Sequence, residues 1–219
     1  MPGLNHVSRG SAPLTLALSP AVTLTKVSVG PGDNNCYLLE SADGLLLVDA
    51  ADDAQTLLDL LDGRRPGTVV TTHRHADHWR ALAAVAGTGA RLVAGRPDAE
   101  AVAAGAGVAP PDGVWDGDPV PLGAERLAVI GLVGHTPGSI ALAYAPGDGP
   151  AHLFTGDSLF PGGPGRTTSR KDFASLMDDL ETKVFGRYPD DTVVHPGHGD
   201  DTTLGTERPH LAEWRARGW

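Results

Sequence analysis

The stretch that decides the fold is Thr68-Val69-Val70-Thr71-Thr72-His73-Arg74-His75-Ala76-Asp77-His78. It opens as a continuous β-branched run, which reads as a buried strand. It ends in H-x-H-x-D-H, a pattern that arises by accident in roughly one such chain in a thousand. His73 and His75 alternate at the strand end, so both side chains face one way. Asp77 and His78 fall where the chain turns toward a helix. Imidazole and carboxylate are natural ligands of zinc and similar divalent ions. Four of them this close exceed the needs of one metal with an open position, which points to two adjacent ions.

Working outward, three further candidates sit beside glycines after predicted strands: His135 in GHTPGS (134–139), Asp157 in FTGDS (154–158) and His198 in HPGHG (195–199). Loops at the carboxyl ends of strands are where α/β folds collect ligands. Upstream, VTLTKVSV (22–29) alternates as a strand does. NCYLLE (35–40) and LLLVDA (45–50) flank an SADG hairpin turn. Helices are expected from Asp52 or Asp53 to Leu61, from about Asp77 to Ala86 and from Pro97 to about Ala104, with a strand at 91–95. A turn-rich stretch (109–123) separates this half from strands at 125–133, 139–145 and 151–156, a Gly/Pro loop at 161–165, an amphipathic helix at 170–184, a strand at 192–196 and a helix at 206–217. The two halves have the same order, each a sheet covered by helices on one side, so a four-layer αββα sandwich is expected. Residues 1–20 read as a flexible tail rather than a secretion signal, and 21–219 as a single domain.

Composition narrows the function. With 17 basic and 27 acidic residues the formal charge is −10, which disfavours nucleic acid and anionic membrane surfaces. The longest apolar run is far too short for a membrane span. The single cysteine, Cys36, excludes an internal disulfide or an all-cysteine zinc site, and reads as a small buried strand residue. These features fit a cytoplasmic protein with a small-molecule substrate; oligomeric state is not legible. Of nine histidines, His195 reads as a packing or supporting residue, His152 as structural or surface, and His6 and His210 as surface. Asp190-Asp191 and Asp200-Asp201 read as solvated loop charges. Trp115 reads as packing or lining a cleft.

The motifs THRHADH, GHTPGS, FTGDSLF and HPGHG resemble those of the metallo-β-lactamase superfamily, and within it the glyoxalase II-like (hydroxyacylglutathione) hydrolases. The resemblance extends from about residue 22 onward and places seven ligand positions in the family's order. It implies the metallo-β-lactamase fold and two divalent metal ions, with zinc expected and iron or manganese compatible with the same ligands. It implies a first metal on His73, His75 and His135 and a second on Asp77, His78 and His198. Asp157 would bridge them together with a water or hydroxide, and Asp77 would orient that hydroxide. It also implies thioester hydrolysis, with Arg166 as a candidate for holding a substrate carboxylate. The long-form enzymes carry an aromatic just past the last histidine and a helical C-terminal domain. Here that position reads Gly199-Asp200-Asp201 and Trp219 follows soon after, so neither is expected and glutathione is not singled out. A mononuclear iron persulfide dioxygenase using His73, His135 and Asp157 is the alternative, and lactone or β-lactam hydrolysis a further one.

Overall fold

The computed structural model describes residues 3–218. Seven strands form one sheet in sequential order: β1 (Leu14–Ala17), β2 (Thr23–Val29), β3 (Asn34–Glu40), β4 (Leu45–Val48), β5 (Thr68–Thr71), β6 (Arg91–Gly95) and β7 (Asp112–Val114). The first four are antiparallel, and β4 to β7 are parallel. Parallel neighbours need crossovers, and α1 (Ala54–Leu61), α2 (Leu82–Ala86) and α3 (Ala99–Ala106) lie in them. The second sheet runs β15-β14-β11-β10-β9-β8. Its strands are β8 (Pro119–Leu122), β9 (Glu125–Gly131), β10 (Ile140–Tyr144), β11 (His152–Gly156), β14 (Val193–Pro196) and β15 (Thr202–Thr203); β12 (Leu159–Phe160) and β13 (Gly163–Pro164) make a separate small hairpin. α4 (Arg170–Asp179), capped by Ser169 accepting from the Asp172 amide, continues as a π-helical turn through Leu180–Phe185. α5 (Leu204–Glu207) and α6 (Leu211–Arg217) follow.

Three apolar layers hold these elements together. Leu24, Leu39, Leu46 and Val70 of the first sheet meet Leu127, Ile140, Leu142 and Phe154 of the second. The outer face of the first sheet buries Leu38, Leu47 and Val69 against Leu57, Leu61, Leu82 and Val102 of the helices. Ala141, Leu153 and Val194 do the same against Leu176, Leu180 and Trp214. The expected αββα sandwich is the fold observed. Cys36 is buried as expected, and burial pushes its thiol up to about 12, so it is unreactive.

Three expectations need correction. The stretch 1–20 is not a loose tail in its described part: β1 pairs with β2, Val7 and Leu18 are buried, and Leu4 bridges to Asp201. The turn-rich middle contains β7 and β8, whose short apolar alternation is masked by Gly and Pro. The helix expected over 77–86 is broken into a 3-10 turn, Ala76–His78, and α2. Between them the amides of Arg80 and Ala81 donate to the carbonyls of Ala51 and Ala50, so tertiary hydrogen bonds replace the helical ones.

Phe154 is fully buried between the sheets, edge-on to Tyr37 and stacked on His195. Phe154→Ala is expected to lower the unfolding free energy by about 3–5 kcal/mol, measured by denaturant titration; a loss under about 1 kcal/mol would place the main core elsewhere.

Candidate metal centre

His73 leaves the end of β5, which is parallel to β4 and β6 in the middle of the first sheet. His135 lies in the loop between β9 and β10, Asp157 just after β11, and His198 just after β14. The two sheets thus deliver their ligand loops to one edge of the sandwich. Seven side chains converge there in three overlapping groups: His73, His75 and His135; His73, His78 and Asp157; and Asp77, His78 and His198.

The three groups overlap, and the Asp157 carboxylate lies beside histidines of each. His73 Nε2 is 3.1 Å from His75 Nδ1 and 3.2 Å from His135 Nε2. Asp77 Oδ2 lies 3.4 Å from His198 Nε2 and 3.9 Å from His78 Nε2. Asp157 Oδ1 faces His78 Nε2 at 3.3 Å, while its Oδ2 faces His198 Nε2 at 3.4 Å and His135 Nε2 at 3.7 Å. His78 Nε2 and Asp157 Oδ1 are buried without a hydrogen-bond partner among the described residues. A buried orphan of this kind is costly unless something else satisfies it. A divalent cation accepted by both donors fits that requirement and this N/O donor set.

Four imidazoles are aimed by what their other nitrogen touches. His78 Nδ1 donates to Asp49 Oδ2 at 2.8 Å. His73 Nδ1 donates to Thr72 Oγ1 at 3.2 Å, whose own proton goes to Asp49. His135 Nδ1 donates to the Arg166 carbonyl at 2.6 Å, and His198 Nδ1 to the Gly32 carbonyl at 2.7 Å. Each Nε2 therefore points inward. His75 is the exception and presents Nδ1. Asn34 Nδ2 holds Asp77 Oδ2 at 3.1 Å. Asp98, wholly buried at the start of α3, accepts from the Arg74 amide, the Gly138 amide and Thr136 Oγ1, tying the loop of His73 and His75 to that of His135. Gly197 is required by close approach, since a Cβ there would stand 2.2 Å from Asp157 Oδ1.

All seven expected ligand residues are brought together. Arg166 contributes its carbonyl to His135, while its side chain is exposed. His195, expected to support or pack, donates to Asp201 at 2.8 Å and lies against His152 and Phe154. Asp201 is a correction: it is buried beside Lys26 and not solvated. Sequence reading missed Asp49, Asn34 and Asp98. Asp49 carried a signal, an acidic residue closing the apolar strand LLLV, and it adopts a left-handed φ of 57° that non-glycine residues occupy mostly at constrained sites.

Burial foremost, with His78 adding to it, holds His73 well below the usual imidazole range; burial and His135 lower His75. His78 is opposite: burial works against its charge, but Asp49 and Asp157 outweigh it and carry its pKa up to about 10. His198 is raised because Asp157 outweighs burial. Burial also opposes the charge on Asp157, yet the facing imidazoles of His198 and His78 hold its carboxyl far below the ordinary range.

A family model described as the metallo-beta-lactamase superfamily matches residues 29–198. A hydroxyacylglutathione hydrolase of Anaeromyxobacter dehalogenans is 36% identical over 175 residues, covering 76% of this chain and 61% of its own length. The chain thus spans about three fifths of that relative. The crystal structure of TTHA1623 in a di-iron-bound form superposes with a TM-score of 0.66 at 32% identity, covering 84% of this chain and 96% of that one. That of BLEG-1 B3 metallo-beta-lactamase superposes with a TM-score of 0.74 at 26% identity, covering 86% and 97%.

Two outcomes follow from the geometry. Asp49→Ala is expected to weaken metal binding by about 10–100-fold, read by chelator competition; unchanged affinity would remove Asp49 from the support of His73 and His78. Metal loading near pH 7 is expected to release a proton from His78, whose pKa of about 10 keeps it charged, and not from His73 or His75, whose pKa values are lowered. Affinity on the Asp77–His78–His198 side should therefore fall more steeply as pH drops. Calorimetry in buffers of different ionisation enthalpy measures this; equal proton release in both binding steps would contradict it.

Proposed function

Because the chain belongs to the metallo-beta-lactamase superfamily, we propose that it is a metal-dependent hydrolase with two divalent ions, acting on a thioester. One observation carries the two-ion reading: two donor sets share Asp157, whose buried Oδ1 and facing His78 Nε2 are otherwise unpartnered. His73, His75 and His135 would hold one ion, Asp77, His78 and His198 the other, and Asp157 would touch both. Zinc, iron and manganese all suit this set, and zinc is the assignment proposed. When bound, such a pair supplies an acidified water and a polarised substrate carbonyl.

The chain's own residues do the rest. Asp157 supplies negative charge between the two sets and is kept ionised by His198 and His78. Asp77, half-exposed and steered by Asn34, keeps a carboxylate at the mouth of the centre, where it would accept a hydrogen bond from the attacking water. The clustered imidazoles and carboxylates at the centre are those of the proposed ligand set, and a side chain held on a metal would not be free to protonate a leaving group. That favours a group that leaves as a stable anion. A thiolate, with a parent pKa near 8.5, qualifies where an alkoxide or amide does not. The similarity to a hydroxyacylglutathione hydrolase supports the same choice. Arg166, exposed next to the carbonyl that holds His135, would meet an anionic part of the substrate.

A second reading rests on the subset His73, His135 and Asp157, which resembles a two-His, one-carboxylate iron site. A single experiment separates them: elemental analysis of the purified protein, then a panel of thioesters, lactones, β-lactams and a persulfide. About two metal ions per chain and preferential thiol release from thioesters are expected, and Asp157→Ala should abolish both. One iron per chain with oxygen uptake on the persulfide would overturn the hydrolase reading. Full loading and activity in Asp157→Ala would overturn the shared-carboxylate assignment.

A further inference from the structure

Lys26 is an odd residue for its place. It lies on the inner face of β2, in the same alternation as Leu24 and paired in register with Tyr37, and is fully buried between the sheets. Its Nζ donates to Asp201 Oδ1 at 2.7 Å and to the Gly199 carbonyl at 2.8 Å, and stands 5.7 Å from the centre of the Tyr37 ring. Asp201, equally buried, also accepts from His195 Nδ1 at 2.8 Å and Asn5 Nδ2 at 2.9 Å. A buried ion pair is weak evidence for stability, since desolvation of both charges offsets their attraction and apolar replacements are often neutral. Its retention among leucines and aromatics calls for another reason.

The contacts supply one. The pair grips the segment that carries His198 at two points, the carbonyl of Gly199 and the side chain of Asp201. Its neighbours on β3 grip the same segment: Tyr37 hydroxyl donates to the Pro196 carbonyl at 2.6 Å, and Asn35 Nδ2 to the carbonyls of Pro196 and Gly199 at 3.0 Å each. Every one of these groups on β2 and β3 belongs to the first sheet, whereas His198 follows a strand of the second. The other donor set is held differently. His73 leans on Thr72 and Asp49, His135 on the Arg166 carbonyl, and the loops of both on Asp98.

We infer that the buried Lys26–Asp201 pair is a positioning device for His198, setting how tightly the Asp77–His78–His198 side binds its metal while leaving the His73–His75–His135 side unaffected. The inference rests on the two-metal reading above. Lys26 and Asp201 touch neither metal nor substrate; they act through the carbonyl of Gly199 and the path of residues 196–201.

Stepwise cobalt(II) titration of the metal-free full chain tests this, followed by visible absorption. Wild type is the control: fewer than two ions there would refute the two-metal reading and not this one. His75→Ala and Asp77→Ala provide reference spectra for each side. In Lys26→Met, the Asp77–His78–His198 side is expected to bind about 10–100-fold more weakly, with the other side unchanged. Lys26→Met leaves a buried carboxylate short of its cation, so the double variant Lys26→Met/Asp201→Asn, which removes both charges, is measured beside it with circular dichroism and thermal unfolding of the metal-free forms. The same one-sided weakening in a folded double variant supports the inference. Equal weakening at both sides, or two-ion binding at wild-type strength in a folded variant, overturns it. Failure of both variants to fold overturns it too, because the pair would then be a staple of the fold.

Discussion

Asp157 leaves β11 with its carboxylate between two sets of imidazoles, one oxygen toward His78 and the other toward His198 and His135. A buried anion must be matched by positive charge or by hydrogen bonds, and this one is matched by side chains drawn from both sheets. That requirement fixes how the halves meet. The ends of β5, β11 and β14 and the loop between β9 and β10 have to reach one point, which the face-to-face packing of the sheets through Leu46, Val70, Leu142 and Phe154 allows. Gly197 permits the final approach, because any larger residue would occupy the space of the Asp157 carboxylate.

Around that point the buried polar groups fall into three supports. Asp49 orients His78 directly and His73 through Thr72. Asp98 ties the His73–His75 loop to the His135 loop. Lys26, Asp201, Asn35 and Tyr37 hold the segment of His198. None of these carboxylates sits in the apolar layers without partners: Asp49 fixes the aim of two imidazoles, Asp98 the approach of two loops, and Asp201 accepts from His195. The consequence is electrostatic as well as geometric. Burial leaves His73 and His75 neutral, ready to donate lone pairs, while the carboxylates beside His78 and His198 favour their protonated forms. Metal and proton thus compete mainly on one side of the centre.

Much of this was legible before the structure. The seven converging residues were readable because ligand chemistry demands particular residue types at close spacing, and H-x-H-x-D-H is a local pattern. The sandwich was readable because each half repeats an order of strands and helices. What was not legible is what depends on contacts distant in sequence. Lys26 looked like one polar residue in an alternating strand, and Asp201 like loop charge, because their pairing spans 175 positions. Asp98 did not stand out beside Pro97, since its acceptor role toward Thr136 is visible only in three dimensions. β1 went unread because LTLA is short and lies among Ser, Gly and Pro, and only its pairing with β2 makes it a strand. The break after His78 was equally hidden, being caused by the carbonyls of Ala50 and Ala51.

The most direct measurement of the central claim, that Asp157 serves two metal positions at once, is anomalous diffraction from crystals of the metal-loaded protein at the absorption edge of the bound element. Two anomalous peaks are expected, both within coordination distance of the Asp157 carboxylate, one against His73, His75 and His135 and the other against Asp77, His78 and His198. A single peak on one side in fully loaded crystals, or peaks that Asp157 does not reach, would contradict it.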